Sequence, residues 1–267
     1  MAVTADRTSA AREAIAANPV WYHTIELAPG ITTPGYVDMR KVASRVLPDD
    51  LRGKRVLDVG TFDGFWAFEM ERRGAEVVAA DLERIDAAEW PPHKREQLTR
   101  EVAESGVELG RGFRLAASVL GSEVRREVCN IYDLEPDRIG GPVDMVFIGA
   151  LLLHLRDPVK GLERVRSVLT RSGELRLLEP FSVGLSIRSP RVPAARFSPL
   201  ETPFDWWLPN LAGIDAWLRV AQFERSRRLA IVRPPARPEM RGTYVGLVYR
   251  PGTSAASGAN DTSVSSA

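Results

Sequence analysis

An α/β domain with a mostly parallel sheet and helices on both faces is predicted by three observations. The first is the unit Arg55–Gly64 followed by Val77–Asp81: a buried apolar run, a glycine turn, a helix over 65–73, a second buried run and an acid at its end. The second is that further apolar runs at 124–129, 143–148 and 174–179 alternate with helical stretches. The third is convergence. Gly60, Asp81, Asn130–Asp133, Gly149–His154 and Glu179–Phe181 all fall at the carboxyl ends of those runs, where open α/β sheets take their ligands.

The glycine turn carries the most chemistry. Gly60 ends the first strand where a side chain would block a ligand, and the next helix points its positive N-terminus at that space. Asp81 stands where a carboxylate accepts hydrogen bonds from both hydroxyls of a ribose. The unit therefore predicts a ribonucleoside ligand. A dinucleotide is disfavoured. The pyrophosphate fingerprint is Gly-x-Gly-x-x-Gly, whereas this run is Gly60-Thr-Phe-Asp-Gly64 with Phe62 at the third position. Asp58, two residues before Gly60, suits a cationic group such as an α-amino group and repels phosphate.

The remaining elements follow in order. Residues 1–50 read as an N-terminal helix (9–17) and an aromatic arm that includes Trp21-Tyr-His-Thr, then a short helix over 41–46. Residues 51–250 read as the nucleotide-binding domain. Within it, 83–92 is irregular, and 94–105 and 112–120 are helical. Asp157 is read as the N-cap of a helix over 158–169 with Pro158 at its first position. Arg171-Ser-Gly173 is read as a turn. Residues 180–211, rich in proline and aromatics, read as a long functional loop. A helix over 214–221, a strand over 223–231 and a strand over 243–249 complete the domain. The tail, 251–267, is small and polar and reads as disordered.

Composition excludes more than it identifies. The 267 residues carry a formal net charge of +1, with 36 Lys and Arg against 35 Asp and Glu, so there is no global pull toward nucleic acid or membrane. A single cysteine, Cys129, excludes an internal disulfide framework and fits a reducing cytoplasm. No apolar run is long enough to span a bilayer. Three histidines without close spacing make no zinc motif, and no metal is expected.

The strand, Asp58-x-Gly60-x-x-x-Gly64 turn, helix, strand and acid resemble the S-adenosylmethionine site of class I methyltransferases. Three further stretches narrow the resemblance. They are Gly149-Ala-Leu-Leu-Leu-His-Leu-Arg-Asp-Pro158, Ser172-Gly-Glu-Leu-Arg-Leu-Leu-Glu179 and Pro203-Phe-Asp-Trp-Trp-Leu-Pro-Asn-Leu-Ala-Gly-Ile-Asp-Ala-Trp-Leu218. Over roughly residues 50–232 the chain is similar to the tRNA wobble-uridine 5-oxyacetate methyltransferases. The resemblance implies a Rossmann-like, seven-stranded sheet, mostly parallel with an antiparallel last strand, and S-adenosyl-L-methionine as cofactor. In that family a tyrosine precedes the loop histidine and helps hold the extra carboxylate of carboxy-S-adenosylmethionine. Leu153 stands there instead, so the unmodified cofactor is expected.

The candidate residues are then these. Asp58, Gly60, Phe62, Gly64, Asp81 and Gly149 are expected to hold the cofactor, with Ile131 and Tyr132 flanking its adenine. His154 is the expected general base, kept neutral by burial in a low-dielectric pocket. Tyr22, His23, Trp206 and Trp207 are expected to line the acceptor. The expected activity is O-methylation of a small-molecule hydroxyl, on a glycoside or secondary metabolite. The alternative is modification of a tRNA wobble uridine. It calls for a basic surface, for which the cluster Arg225, Arg227, Arg228, Arg233 and Arg237 is the one local source.

Overall fold

The computed structural model describes residues 2–202 and 204–252; most of the tail predicted to be disordered lies outside the described residues. The sheet strands are β1 (Arg55–Val59), β2 (Glu76–Asp81), β3 (Arg125–Val128), β4 (Val143–Gly149), β5 (Leu169–Pro180), β6 (Phe223–Val232) and β7 (Tyr244–Pro251). They form a seven-stranded sheet in the order β6-β7-β5-β4-β1-β2-β3. β1 pairs in parallel with β2 and β4, and β2 with β3. β7 is antiparallel to both β5 and β6. This is the sheet expected from the sequence.

Alternation along the strands sorts the core into two layers. Val56, Val77, Ala79, Met145 and Phe147 face one layer, while Leu57, Val59, Val78, Ala80, Val146 and Ile148 face the other. The first layer is covered by α1 (Ala2–Ala17), α2 (Arg40–Val46), α3 (Phe65–Glu71) and α5 (Arg111–Leu120), with α4 (Arg95–Ser105) preceding α5. The second is covered by α6 (Pro136–Ile139), α7 (Pro158–Val168) and α9 (Leu211–Val220). Apolar strands covered on both faces are what a parallel arrangement demands. The N-terminal arm belongs to the first layer: Trp21, Ile25, Leu27 and Val37 are all buried in it.

Local signals set the element ends. Asp157 caps α7 by accepting the Lys160 N–H at 2.9 Å, with Pro158 at the first position. Asn210 caps α9 by accepting the Gly213 N–H at 2.7 Å. The turn expected at Arg171–Gly173 is instead an irregularity inside β5, between the pairs Val143↔Leu169 and Met145↔Glu174. The segment 180–211 is not a plain loop. It holds α8 (Val183–Arg188), capped by Ser182, and a two-stranded ribbon of Ala195–Phe197 against Trp207–Pro209. Ribbon strands of three residues pair only through tertiary context, so neither run stands out as a strand in the sequence. No helix among the described residues is long and apolar enough to cross a membrane.

Candidate active site

The parallel sheet ends in a cleft at the carboxyl edges of β1 and β2. Its floor is Gly60 and Asp81. Gly60 has φ +77°, a region that favours glycine, and a Cβ there would sit 3.2 Å from both Leu151 methyls. Its N–H donates to the Ala80 carbonyl at 2.9 Å, which ties the turn to β2. The Asp81 carboxylate spans the turn. One oxygen accepts the Phe62 N–H at 2.7 Å and the other the Leu82 N–H at 2.8 Å. Burial raises its pKa, and the two N–H donors oppose that rise. A carboxylate oxygen accepts more than one hydrogen bond, so each oxygen retains capacity toward the cleft.

The walls are Ala88 and Glu89 on one side, Ile131 and Tyr132 on the second, and Leu151 and His154 on the third. The open cleft encloses about 500 Å³, solvent at its mouth included. Behind its floor lies Asp58, 1% exposed in β1. Its Oδ2 and the nearby buried Thr61 hydroxyl make no well-aligned hydrogen bond, although the hydroxyl is close enough to favour the ionised carboxylate. Burial pushes the Asp58 pKa up to about 7, partly offset by Thr61 and His23. A buried carboxylate oxygen left unpaired is costly, and fits a site that takes a cationic group.

Four expected contacts do not line this cleft. Phe62 has φ +50°; its ring packs edge-on against Tyr22 at 5.8 Å and lines a separate hollow with Asn18 and Gly110. Gly64, φ +90°, is required by packing, because a Cβ would meet the Phe68 and Phe113 rings at under 3 Å. Gly149 makes room for Trp66, whose Nε1 would lie 3.0 Å from a Cβ. His23 is 6% exposed and stacked on Phe65 at 5.3 Å. Its Nδ1 is 2.6 Å from Asp63 Oδ1, while Asp63 Oδ2 accepts the N–H groups of Tyr22 and His23 at 2.9 and 2.7 Å. The arm is thus clamped to the glycine turn by the Tyr22 and His23 N–H groups and the His23 ring, while the Tyr22 phenol lies within electrostatic reach of Asp205 and Glu179 beside His154. Replacing Asp63 by alanine leaves those N–H groups buried without an acceptor and is expected to cost about 2–4 kcal/mol. A denaturant titration checks this; an unchanged midpoint would mean that the clamp is not needed for the fold.

His154 does line the cleft, but its environment differs from the expected one. Its side chain is 43% exposed. Nδ1 lies 3.0 Å from the Phe204 carbonyl and 3.3 Å from Asp205 Oδ1. Loss of solvent on the packed side of the ring would lower its pKa, but Asp205 and the Phe204 carbonyl outweigh it and raise the pKa. The imidazole is therefore tuned by its pairing with Asp205, and the expectation of a ring kept neutral by burial is corrected. With Nδ1 directed at Phe204 and Asp205, Nε2 is the nitrogen left to accept a proton.

Trp206 and Trp207 reach the same loop. The Trp206 N–H donates to the Leu153 carbonyl at 2.7 Å and its indole N–H to the Glu89 carbonyl at 2.5 Å. The Trp207 indole donates to the Arg156 carbonyl at 3.2 Å, and its ring packs on the half-exposed Phe197. Trp206 is buried and structural; Trp207 and Phe197 keep exposed aromatic surface. Glu179, 2% exposed at the end of β5, accepts the Leu151 and Leu152 N–H groups at 3.0 and 3.2 Å and so fixes the loop that bears His154. Burial pushes its pKa up to about 7, and the two N–H donors offset part of the rise. Asp63 and Glu89 received no site role from the sequence, and Glu179 was placed only at the ligand edge of the sheet. An acid inside a glycine turn was the one available signal, for Asp63. The arginine cluster lies on and after the edge strand β6. There Arg237 stacks on Tyr36 at 4.1 Å and Arg225 lies 3.7 Å from Asp215. Among the described residues no group of three or more His, Cys, Asp or Glu is placed to hold a metal ion.

Sheet order, the single antiparallel strand and the glycine-floored cleft define the fold of class I methyltransferases. The solved structure of the Burkholderia thailandensis 1,6-didemethyltoxoflavin-N1-methyltransferase, with bound 1,6-didemethyltoxoflavin and S-adenosylhomocysteine, shares that fold. It matches with a TM-score of 0.51 at 19% identity, over 75% of this chain and 72% of that one. In sequence the chain resembles proteins named tRNA U34 carboxymethyltransferase. It is 30% identical to that of Pseudomonas paraeruginosa over 186 residues, 69% of this chain and 49% of the relative. It is 31% identical to that of Pseudomonas aeruginosa over 185 residues, 68% and 49%. The chain spans about half the length of these curated relatives. No protein-family model matches it.

Proposed function

We propose that this chain is an S-adenosyl-L-methionine-dependent methyltransferase whose cofactor lies in the cleft above Gly60 and Asp81. The carrying observation is the pairing of a ribose-competent carboxylate on the floor with the unpartnered buried oxygen of Asp58 behind it. Asp81 accepts the ribose hydroxyls. Asp58 answers the positive α-amino group, and Ile131 and Tyr132 flank the adenine. The bound cofactor supplies an electrophilic sulfonium methyl. His154 takes the proton of an attacking hydroxyl at Nε2, while Asp205 steadies the imidazolium that forms. Trp207 and Phe197 supply an aromatic surface for the acceptor. A reducing cytoplasmic setting rests on the lone, buried Cys129.

Two acceptor classes are supported by different observations. The names of the relatives favour a tRNA wobble uridine, and they are the stronger comparison. Leu153 in place of tyrosine and the near-zero net charge favour a small-molecule hydroxyl, on a glycoside or secondary metabolite. Labelling a cell extract with the purified chain and methyl-tritiated cofactor, then separating RNA from small molecules, decides between them. Label in the tRNA fraction establishes the first, and label in the small-molecule fraction the second. No label above that of a Gly60→Val control rejects methyl transfer.

Leu153 also makes a cofactor prediction. Without a hydroxyl there, carboxy-S-adenosylmethionine is expected to bind no tighter than S-adenosylmethionine in a competition titration. Binding more than about tenfold tighter would show that another group holds the carboxylate, and would favour the tRNA reading.

A further inference from the structure

Four segments meet at Glu89, above the cleft. Its Oε2 accepts the Tyr132 hydroxyl at 2.6 Å and the Arg156 N–H at 2.7 Å. The Tyr132 hydroxyl in turn accepts the Asp157 N–H at 3.1 Å. The Glu89 carbonyl takes the Trp206 indole N–H, and the Arg156 guanidinium lies 5.1 Å from the Trp206 ring centroid. Glu89 and Tyr132 are cleft walls. Trp206 is followed back along the chain by Asp205 and Phe204, the two groups that hold His154 Nδ1. A path of hydrogen bonds joined by the 204–206 backbone thus runs from the cleft wall to His154.

We propose that Glu89 is a positioning residue: it fastens the cleft wall to the 204–206 segment, so that filling the cleft sets the orientation of His154. Glu89 does not touch the reacting atoms. It acts through Trp206, whose backbone carries the Asp205 carboxylate and the Phe204 carbonyl to the imidazole. Charge-assisted bonds to a carboxylate are among the stronger ones, and here one oxygen joins two segments while the backbone of the same residue joins a third. The arrangement gives a physical reason for an ordered sequence, cofactor first and competent base second. This inference rests on the nucleoside reading of the cleft.

S-Adenosylhomocysteine serves as the probe, and the side-chain resonances of His154 as the readout. The chain has three histidines, so a His154→Gln spectrum assigns the signal. In the full chain, saturating S-adenosylhomocysteine is expected to move the His154 resonances. Glu89→Ala, at saturation, is expected to lose most of that response, and Glu89→Gln, whose amide oxygen still accepts, to keep it. Trp206→Phe, which removes only the indole donor at the other end of the path, is expected to lose it as Glu89→Ala does. A wild-type-sized response in both Glu89→Ala and Trp206→Phe would overturn the proposal, because His154 would then be sensing the ligand directly. A silent His154 in wild-type protein that binds the probe would overturn it too. Failure of wild-type protein to bind S-adenosylhomocysteine would instead remove the nucleoside reading, and this inference with it.

Discussion

Asp81→Ala is expected to weaken S-adenosylmethionine binding at least about tenfold, the scale of one or two lost charge-assisted hydrogen bonds. Two losses combine. The ribose loses its acceptor, and the turn loses the carboxylate that joins the Phe62 and Leu82 N–H groups. Asp81→Asn separates them. Its amide has one oxygen where the carboxylate has two, so part of the turn's bonding survives while bidentate ribose recognition does not. Isothermal calorimetry on folded variants measures both. Unchanged affinity in Asp81→Ala would place the nucleoside elsewhere.

The second large effect concerns His154. A base matters as the oxygen–methyl bond forms and little in the ground state, so His154→Ala is expected to lower turnover about a hundredfold or more with cofactor affinity nearly kept. Its pH dependence follows from Asp205. The imidazole pKa is raised, and only the neutral ring accepts a proton. Turnover should therefore fall as pH drops through that raised value. Asp205→Asn removes the partner charge, so the limb is expected to move toward lower pH. A limb that stays in place in Asp205→Asn, or near wild-type turnover in His154→Ala, would make His154 structural.

The sheet was legible in the sequence because strands covered on both faces are written as short apolar runs of valine, leucine and isoleucine, and because a glycine turn and an acid punctuate the first two. Asp157-Pro158 announced α7 by capping chemistry alone. What could not be read was set by contacts distant in the chain. The raised pKa of His154 depends on Asp205, some fifty residues on. Glu89 sits in an irregular segment with no periodicity, and its role exists only once Tyr132, Arg156 and Trp206 surround it. His23 resembled an acceptor contact because aromatic arms often cover pockets. Its pairing with Asp63 across 40 residues turned it into a clamp. Gly64 and Gly149 were read as cofactor contacts; the structure adds a packing reason that the sequence did not show, aromatic rings close against both.

The central claim, a nucleoside cofactor on the floor of Gly60 and Asp81, is tested most directly by a crystal structure of the chain with S-adenosylhomocysteine. The expected result places the ribose hydroxyls within hydrogen-bond reach of the Asp81 carboxylate, the adenine between Ile131 and its facing wall, and the amino group on the side of Asp58. The ligand bound in another cavity, or an Asp81 carboxylate out of reach of the ribose, would contradict it.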